Sequence, residues 1–455
     1  MQLGGSMQTI TNDDLGHRLE FNNPWWDSSF QIETNSPQLP KRAFYPAFFS
    51  QLKALENGRM LVLAGLDYIG KTTMVRHVMA DLLHKGVRGQ EILYFDLAAP
   101  SYAFASPARL VDAVAARFGH DRDNRLYLFF DETQYLDGWR EKLQTLASEW
   151  PKARVVAVVS NEATPASDME TFVLPPLTFS EYLNSTKSGE SLFGEDMTLS
   201  SGAMPALNDA FWEYVNLGGF PKDAAMRVLH RDLAARSGIG DPRDLDKLFA
   251  VLARNTASEI TIEELVSAVG VAKNTLRKYL DFLEQAFLIR RLSRLDRDGK
   301  RFQRAVAFKV YLTTPSLYTA LFGPVSPDDA MFPRLAETAL VAQWMGSDNG
   351  RRLAYASWRG GGIDLLEVNP DTDVPDHVYE IDWHDGYASP DPKADKGPKE
   401  LTAFVARTNP AASTHILTGS TARRGAMAGI DITLAPLALY AYGIGRASKE
   451  NVPDQ

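Results

Sequence analysis

Met60-Leu-Val-Leu-Ala64-Gly65-Leu-Asp-Tyr-Ile-Gly70-Lys71-Thr72 is the stretch on which the reading of this 455-residue chain turns. A five-residue apolar run ends in G-x-x-x-x-G-K-T, and a helical pattern follows from Thr72 to Leu83. A strand, a glycine loop and a helix in that order make a cradle for a polyphosphate. The glycines allow a tight backbone whose N–H groups converge, and the helix N-terminus adds partial positive charge. A turn that merely joined strand to helix would need neither the lysine nor the threonine at those offsets. Gly65, Ile69, Gly70, Lys71, Thr72 and Thr73 are therefore the expected cradle for ATP. Lys71 is expected to reach the β- and γ-phosphates, and the Thr72 hydroxyl to ligate Mg²⁺.

Sixty residues past Lys71, Leu126-Tyr-Leu-Phe-Phe130-Asp131-Glu132 is an apolar strand ending in two acids. Asp131 is expected to hold the Mg²⁺ through water, and Glu132 to polarise the attacking water. The plainer reading of Glu132 is an acid favoured at a helix start. The next apolar run, Arg154 to Val159, ends in Ser160-Asn161, which makes Asn161 the expected sensor of the γ-phosphate. Strand-end polar residues also cap turns, and that is the competing reading. Arg154 and Arg254 are the arginines considered for donation across a subunit interface, and nothing in the pattern favours either. With Glu91 to Leu97 and Thr171 to Leu174, these runs alternate with helical stretches from about 44 to 183. That alternation predicts a parallel sheet covered by helices on both faces.

Composition sets the outer bounds. Hydrophobic residues make up 45% and charged residues 23%, a globular profile, and the length suits two to four domains. There is no cysteine, which excludes disulfides, thiolate metal sites and a cysteine nucleophile, and fits a cytoplasmic setting. Forty-eight Lys and Arg against 57 Asp and Glu exclude a chain that coats nucleic acid with its whole surface. No apolar run approaches the about 20 residues of a membrane span. The N-terminus has neither a basic nor an apolar region, so no secretory signal is expected.

These residues, with Asn23-Pro24-Trp25-Trp26 and Asp131-Glu-Thr-Gln134-Tyr-Leu-Asp-Gly-Trp139, resemble a prokaryotic family of AAA-type ATPases. That family joins a P-loop domain to a winged helix and a restriction-endonuclease-like domain of unassigned function. Leu174-Pro-Pro-Leu-Thr-Phe-Ser-Glu-Tyr182 and Leu217-Gly-Gly-Phe-Pro221 are further points of likeness. The resemblance implies ATP binding and hydrolysis with Lys71, Thr72, Asp131 and Glu132 in the roles above. Relatives commonly carry Pro and Arg where this chain has Leu66-Asp67-Tyr68, so its loop is less positive and a lower nucleotide affinity is expected.

Further along, Thr261 to Gly270 and Ala272 to Tyr279 read as helix, glycine turn, helix, and Leu288 to Lys300 as a wing. Residues 251–310 hold 12 Lys and Arg against 7 Asp and Glu, on a chain whose net charge is -9. Lys273, Asn274, Arg277 and Lys278 would face the major groove of double-stranded DNA. Arg290, Arg291, Arg294, Arg297, Lys300 and Arg301 would reach phosphates. The alternative is a rigid spacer whose arginines are solvated or ion-paired.

In the C-terminal part, strands at Val306 to Leu312, Ile363 to Val368, His377 to Ile381, His415 to Thr418 and Ile430 to Leu434 predict a second mixed α/β unit. The endonuclease-like resemblance places Glu337 on a helix, Asp364 at a strand start and Glu380 in Glu380-Ile-Asp382. Asp382 stands where the active pattern has lysine, so cleavage is not expected unless a lysine of the 393–399 loop enters. His377 and His384 have no metal-ligand spacing.

The expectation is thus an α/β P-loop domain of the ASCE/AAA type, a helical winged-helix domain and a second mixed α/β endonuclease-like domain. Their bounds are an N-terminal extension at 1–40, the ATPase at 41–185, a connection at 186–245, the winged helix at 246–300 and the last domain at 301–455. The expected activity is Mg²⁺-dependent ATP hydrolysis that moves the later domains, acting on DNA or DNA-bound partners, as a homo-oligomer and away from membranes. The alternatives are a nucleotide-gated switch and an ATP-dependent nuclease.

Overall fold

The computed structural model describes residues 12–27, 40–160, 169–186, 192–194, 198–218, 242–302, 307–345, 352–388 and 398–450. Two compact units meet in sequence between Leu174 and Pro175, so Pro175 to Tyr182 begins the second unit. No helix among the described residues is long and apolar enough to cross a membrane.

The first unit carries a five-stranded, all-parallel sheet: β1 (Met60–Ala64), β2 (Ile92–Asp96), β3 (Tyr127–Asp131), β4 (Arg154–Val159) and β5 (Glu170–Val173), in the order β2-β3-β4-β1-β5. Strands β1 and β4 are buried at every position. That is why they read as unbroken apolar runs: helices cover both faces and no side needs to be polar. β4 lies between β1 and β3, which puts the glycine loop and the Asp131-Glu132 pair at the same carboxyl edge of the sheet. Ligands of open α/β sheets bind at that edge.

β2 is an edge strand, and the Asn23-Pro-Trp-Trp26 segment closes it. Asn23 Oδ1 accepts from Tyr94 N at 2.7 Å, and its Nδ2 donates to Tyr94 O at 3.0 Å. The indole N–H groups of Trp25 and Trp26 both donate to Ile92 O. An asparagine side chain and two indoles thus replace a neighbouring strand. Gly89 is required there, because a Cβ would lie 2.1 Å from Trp25 O.

The second unit is built on one nine-stranded sheet: β6 (Ser258–Thr261), β7 (Ile289–Leu295), β8 (Ala307–Leu312), β9 (Leu353–Trp358), β10 (Gly361–Val368), β11 (Pro375–Asp382), β12 (Ser413–Thr418), β13 (Arg423–Met427) and β14 (Ile430–Pro436). The order is β13-β14-β12-β11-β10-β9-β7-β8-β6. The β7–β9 pairing is parallel and makes the segment expected as a wing continuous with the C-terminal strands. Ahead of it, helices Ile262–Val269 and Lys273–Gln285 flank Gly270, which is left-handed at φ 87°. Thr261 and Glu264 form a capping box that starts the first of them. The second buries Leu276, Tyr279, Leu280 and Leu283 at helical spacing.

Candidate functional site

The glycine loop follows from β1 by local necessity. Gly65 cannot be replaced without clash, since a Cβ would lie 2.5 Å from Leu174 O and 2.8 Å from Ile69 Cδ1. Gly70 sits at φ 98°, in the left-handed region that glycine enters freely, and is the N-cap of helix Lys71–His84. The first-turn amides of that helix face the loop, and Met74 N closes the turn on Gly70 O at 2.8 Å. Arg42 Nη1 donates to Ile69 O at 2.9 Å and pins the loop from outside.

Lys71 is buried, and its Nζ donates to Gly65 O at 3.0 Å and Leu66 O at 2.8 Å, with Asp67 Oδ1 3.8 Å away. Thr72 Oγ1 donates to Asp131 Oδ2 at 2.7 Å, which joins the helix start to the end of β3. Tyr94 on β2 donates its hydroxyl to the same oxygen at 2.8 Å, and Glu132 N donates to Asp131 Oδ1 at 2.9 Å. Asp131 is thereby fixed at both oxygens and 2% exposed. Burial, then the Asp131 charge, pushes the Tyr94 hydroxyl well above its ordinary value, so it remains a donor. Burial likewise raises the neighbouring Asp96 carboxyl.

Glu132 is a non-glycine residue in the left-handed region, at φ 55° and ψ 41°. Such strain persists where the surrounding structure imposes it. Gln134 Nε2 donates to Glu132 Oε2 and holds the carboxylate beside the Thr72–Asp131 pair's strand end. Next to it, Ser160 Oγ at the end of β4 is buried without a hydrogen-bond partner among the described residues. Asn161 lies outside the described residues. Arg154 is at the opposite, amino end of β4 with Nη1 on Asn57 Oδ1, which removes it from the carboxyl edge. Of the expected residues, Gly65, Ile69, Gly70, Lys71, Thr72, Thr73, Asp131 and Glu132 share one edge. Tyr94, Gln134 and Asp67 join them; Tyr94 was marked by no motif, and Gln134 and Asp67 were quoted only as part of a likeness and of a departure from it.

A threonine hydroxyl and a carboxylate in direct contact, at the mouth of an amide-lined loop, are a donor set suited to Mg²⁺ carried on a polyphosphate. The C-terminal carboxylates do not offer the same. Glu337, Asp364 and Glu380 do converge, but an ammonium sits among them. Lys309 on β8 is 6% exposed, 2.7 Å from Glu337 Oε1 and 3.3 Å from Asp364 Oδ1. Tyr311 donates to Glu337 Oε1, and Ile381 N to Asp364 Oδ2. Burial and the Asp364 charge raise the Glu380 carboxyl well above its usual range. Asp382 instead accepts from the amides of Gly386 and Tyr387 and closes a turn. Lys309, from β8, thus brings a positive charge among these carboxylates that the sequence pattern did not place there. No group of three or more His, Asp or Glu among the described residues is arranged to hold a metal. His377 stacks on Tyr379 and His415, and the His384 neighbourhood adds no ligand set.

The basic helical segment is divided. Asn274, Arg277 and Lys278 are exposed on helix Lys273–Gln285, while Lys273 pairs with Glu263. Arg291 is spent on Asp281 and Glu284, Arg294 on Ser357 O and Glu259, and Arg301 on Asp373. The 296–300 turn is packed down: Asp298 pairs with Arg407, and Gly299 lies against Thr408 and Pro375.

Residues 57–183 match the family model of an AAA domain, and residues 196–328 match that of a domain of unknown function, DUF8612. An uncharacterized protein of Haemophilus influenzae is 22% identical over 273 residues, 54% of this chain and 65% of that protein. The chain thus spans just under two thirds of that relative's length. An uncharacterized protein of Methanocaldococcus jannaschii is 24% identical over 364 residues, 70% of this chain and 75% of that protein. Among solved structures, Caenorhabditis elegans PCH-2 superposes with a TM-score of 0.26 at 11% identity, over 52% of this chain and 67% of that one. AMPPCP-bound DnaA from Aquifex aeolicus gives 0.23 at 11% identity, over 57% and 92%. Both superpositions are partial.

Proposed function

We propose that this chain is a Mg²⁺-dependent ATPase whose reaction centre is the carboxyl edge of the first sheet. The observation that carries the reading is the 2.7 Å contact between Thr72 Oγ1 and Asp131 Oδ2, made beside Lys71 at the start of the post-loop helix. The AAA-domain match over residues 57–183 supports it. Bound there, Mg²⁺ supplies charge neutralisation between the terminal phosphates. Lys71 and the loop amides bind and orient the polyphosphate, Thr72 and Asp131 present oxygens to the metal, and Glu132 accepts the proton of the attacking water. The left-handed backbone at Glu132, at the end of β3, supports its assignment as the base. Asn161 completes the set as the γ-phosphate sensor.

The finer division is also part of the proposal: an ATPase module at 41–185, a winged helix at 246–300 and a catalytically silent endonuclease-like part from 301. Hydrolysis would drive those parts, in a cytoplasmic homo-oligomer acting on double-stranded DNA or its bound proteins. The exposed Asn274, Arg277 and Lys278 favour the DNA contact. Lys71→Ala is expected to abolish nucleotide binding and turnover, while Glu132→Gln keeps binding and loses at least about 100-fold in turnover. Wild-type phosphate release from either purified variant refutes the assignment. If Glu132→Gln retains a partner that wild type releases, the switch alternative gains over the motor.

A further inference from the structure

The Lys71 ammonium is engaged by its own loop, and the loop contains an acid. Leu66 and Asp67 are 1% and 7% exposed, whereas Tyr68, in left-handed backbone at φ 62°, is 41% exposed. The loop therefore turns a carboxylate inward, toward the lysine. Asp67 Oδ1 lies 3.8 Å from Lys71 Nζ, both side chains being nearly excluded from solvent. No other hydrogen bond or ion pair to the Asp67 side chain occurs among the described residues. A phosphate held by Lys71 must then lie close to a fixed negative charge.

We infer that Asp67 is a specificity-determining residue that makes the site discriminate metal-loaded from metal-free triphosphate. The inference rests on the reading of Lys71, Thr72 and Asp131 as a nucleotide site and deepens it. Two effects combine. Asp67 stabilises the inward position of Lys71, so every anionic ligand must compete for the ammonium. Asp67 also repels the ligand in proportion to the ligand's own charge, and a metal-free triphosphate carries about two more negative charges than its Mg²⁺ complex. Competition for the ammonium weakens both forms alike. The repulsion weakens the metal-free form more, and it is screened little because the carboxylate is buried. Asp67 acts on phosphate directly as a charge and on Lys71 as a positioning group, and takes no part in bond breaking.

The experiment is equilibrium binding of a fluorescent ATP analogue to the full chain, with Mg²⁺ and with EDTA, for wild type, Asp67→Asn, Asp67→Ala, Asp67→Glu and Lys71→Ala. Circular dichroism checks that each variant is folded. Asp67→Asn and Asp67→Ala are expected to bind the Mg²⁺ complex about 10-fold more tightly, and the metal-free nucleotide by a larger factor, narrowing the preference for the Mg²⁺ complex. Asp67→Glu is expected to keep that preference. Unchanged or weaker binding in Asp67→Asn and Asp67→Ala, or an equal gain with and without metal, overturns the discrimination. The nucleotide-site reading then stands if wild type binds and Lys71→Ala does not. Failure of folded wild type and Asp67 variants alike to bind nucleotide overturns both.

Discussion

Lys309→Met removes the ammonium that contacts Glu337 and Asp364 in the C-terminal carboxylate cluster, and its effect follows from the geometry. Lys309 and Glu337 side chains are each 8% exposed at 2.7 Å, and Asp364 is 33% exposed at 3.3 Å. With an effective dielectric of about 20, the first contact is worth about 6 kcal/mol and the second about 5. The second is discounted to about 2 because solvent screens Asp364. Against this stands the recovered cost of burying the ammonium, several kcal/mol, which leaves a net loss of about 3–5 kcal/mol. Burial already raises the Glu337 carboxyl above its ordinary 4.5, and losing Lys309 raises it further. A folded-state value above the unfolded one means the folded variant binds the extra proton, so its stability falls as pH rises through that window. Compared at about pH 5 and about pH 7, above the ordinary carboxylate value, the gap between wild type and variant should thus widen with rising pH, by at most about 1.4 kcal/mol per unit. Urea unfolding followed by circular dichroism measures it. Adding Glu337→Gln, which keeps an acceptor for Tyr311, should recover at least half the loss and flatten the pH dependence. A cost under about 1 kcal/mol, the same at both pH values, would show that Lys309 is not the compensating charge.

Three other outcomes are expected. Tyr94→Phe removes one of the two hydroxyl donors to Asp131 Oδ2 and should raise the Mg²⁺ concentration for half-maximal ATP turnover about 5-fold, with little change in affinity for the nucleotide; an unshifted Mg²⁺ curve counts against the positioning role. His415, whose value burial and His377 lower to about 4, is neutral in the fold, so stability should fall as pH drops from 6.5 toward that value. His415→Gln should shrink that fall by about 2 kcal/mol in thermal unfolding, after allowance for partial exposure. Reversing Arg277 and Lys278 to glutamate should abolish a mobility shift with duplex DNA at low salt and reduce its salt dependence. Arg291→Ala should lower stability and leave that shift intact, and the opposite pattern sinks the assignment of the helix face.

Elements with a strong local signature were legible in the sequence. The five strands of the first sheet appear within a residue or two of their expected positions, because fully buried parallel strands leave uninterrupted apolar runs. The loop and the Asp131-Glu132 pair were legible for the same reason: their chemistry is written in consecutive residues. Lys309 was not. Within Ala307-Phe-Lys-Val-Tyr-Leu312 a lysine reads as the solvent side of a strand, and its partners stand 28 and 55 residues away. Tyr94 meets Asp131 only because β2 lies beside β3, which no local pattern states. Arg291 counted toward a phosphate-binding face until the strand carried it against Asp281 and Glu284. β13, Arg423–Met427, is exposed at four of its five positions and carries no alternation to find.

The cover on β2 has a consequence for how the first unit comes into being. Asn23, Trp25 and Trp26 leave the ribosome more than sixty residues before Ile92 and Tyr94, so the strand is met by its partner as it is made. A raw row of amides and carbonyls never waits for the remainder of the sheet. Starting translation at residue 41 would keep every residue of the proposed nucleotide edge and yet release a polypeptide prone to stick to its own copies, edge on edge.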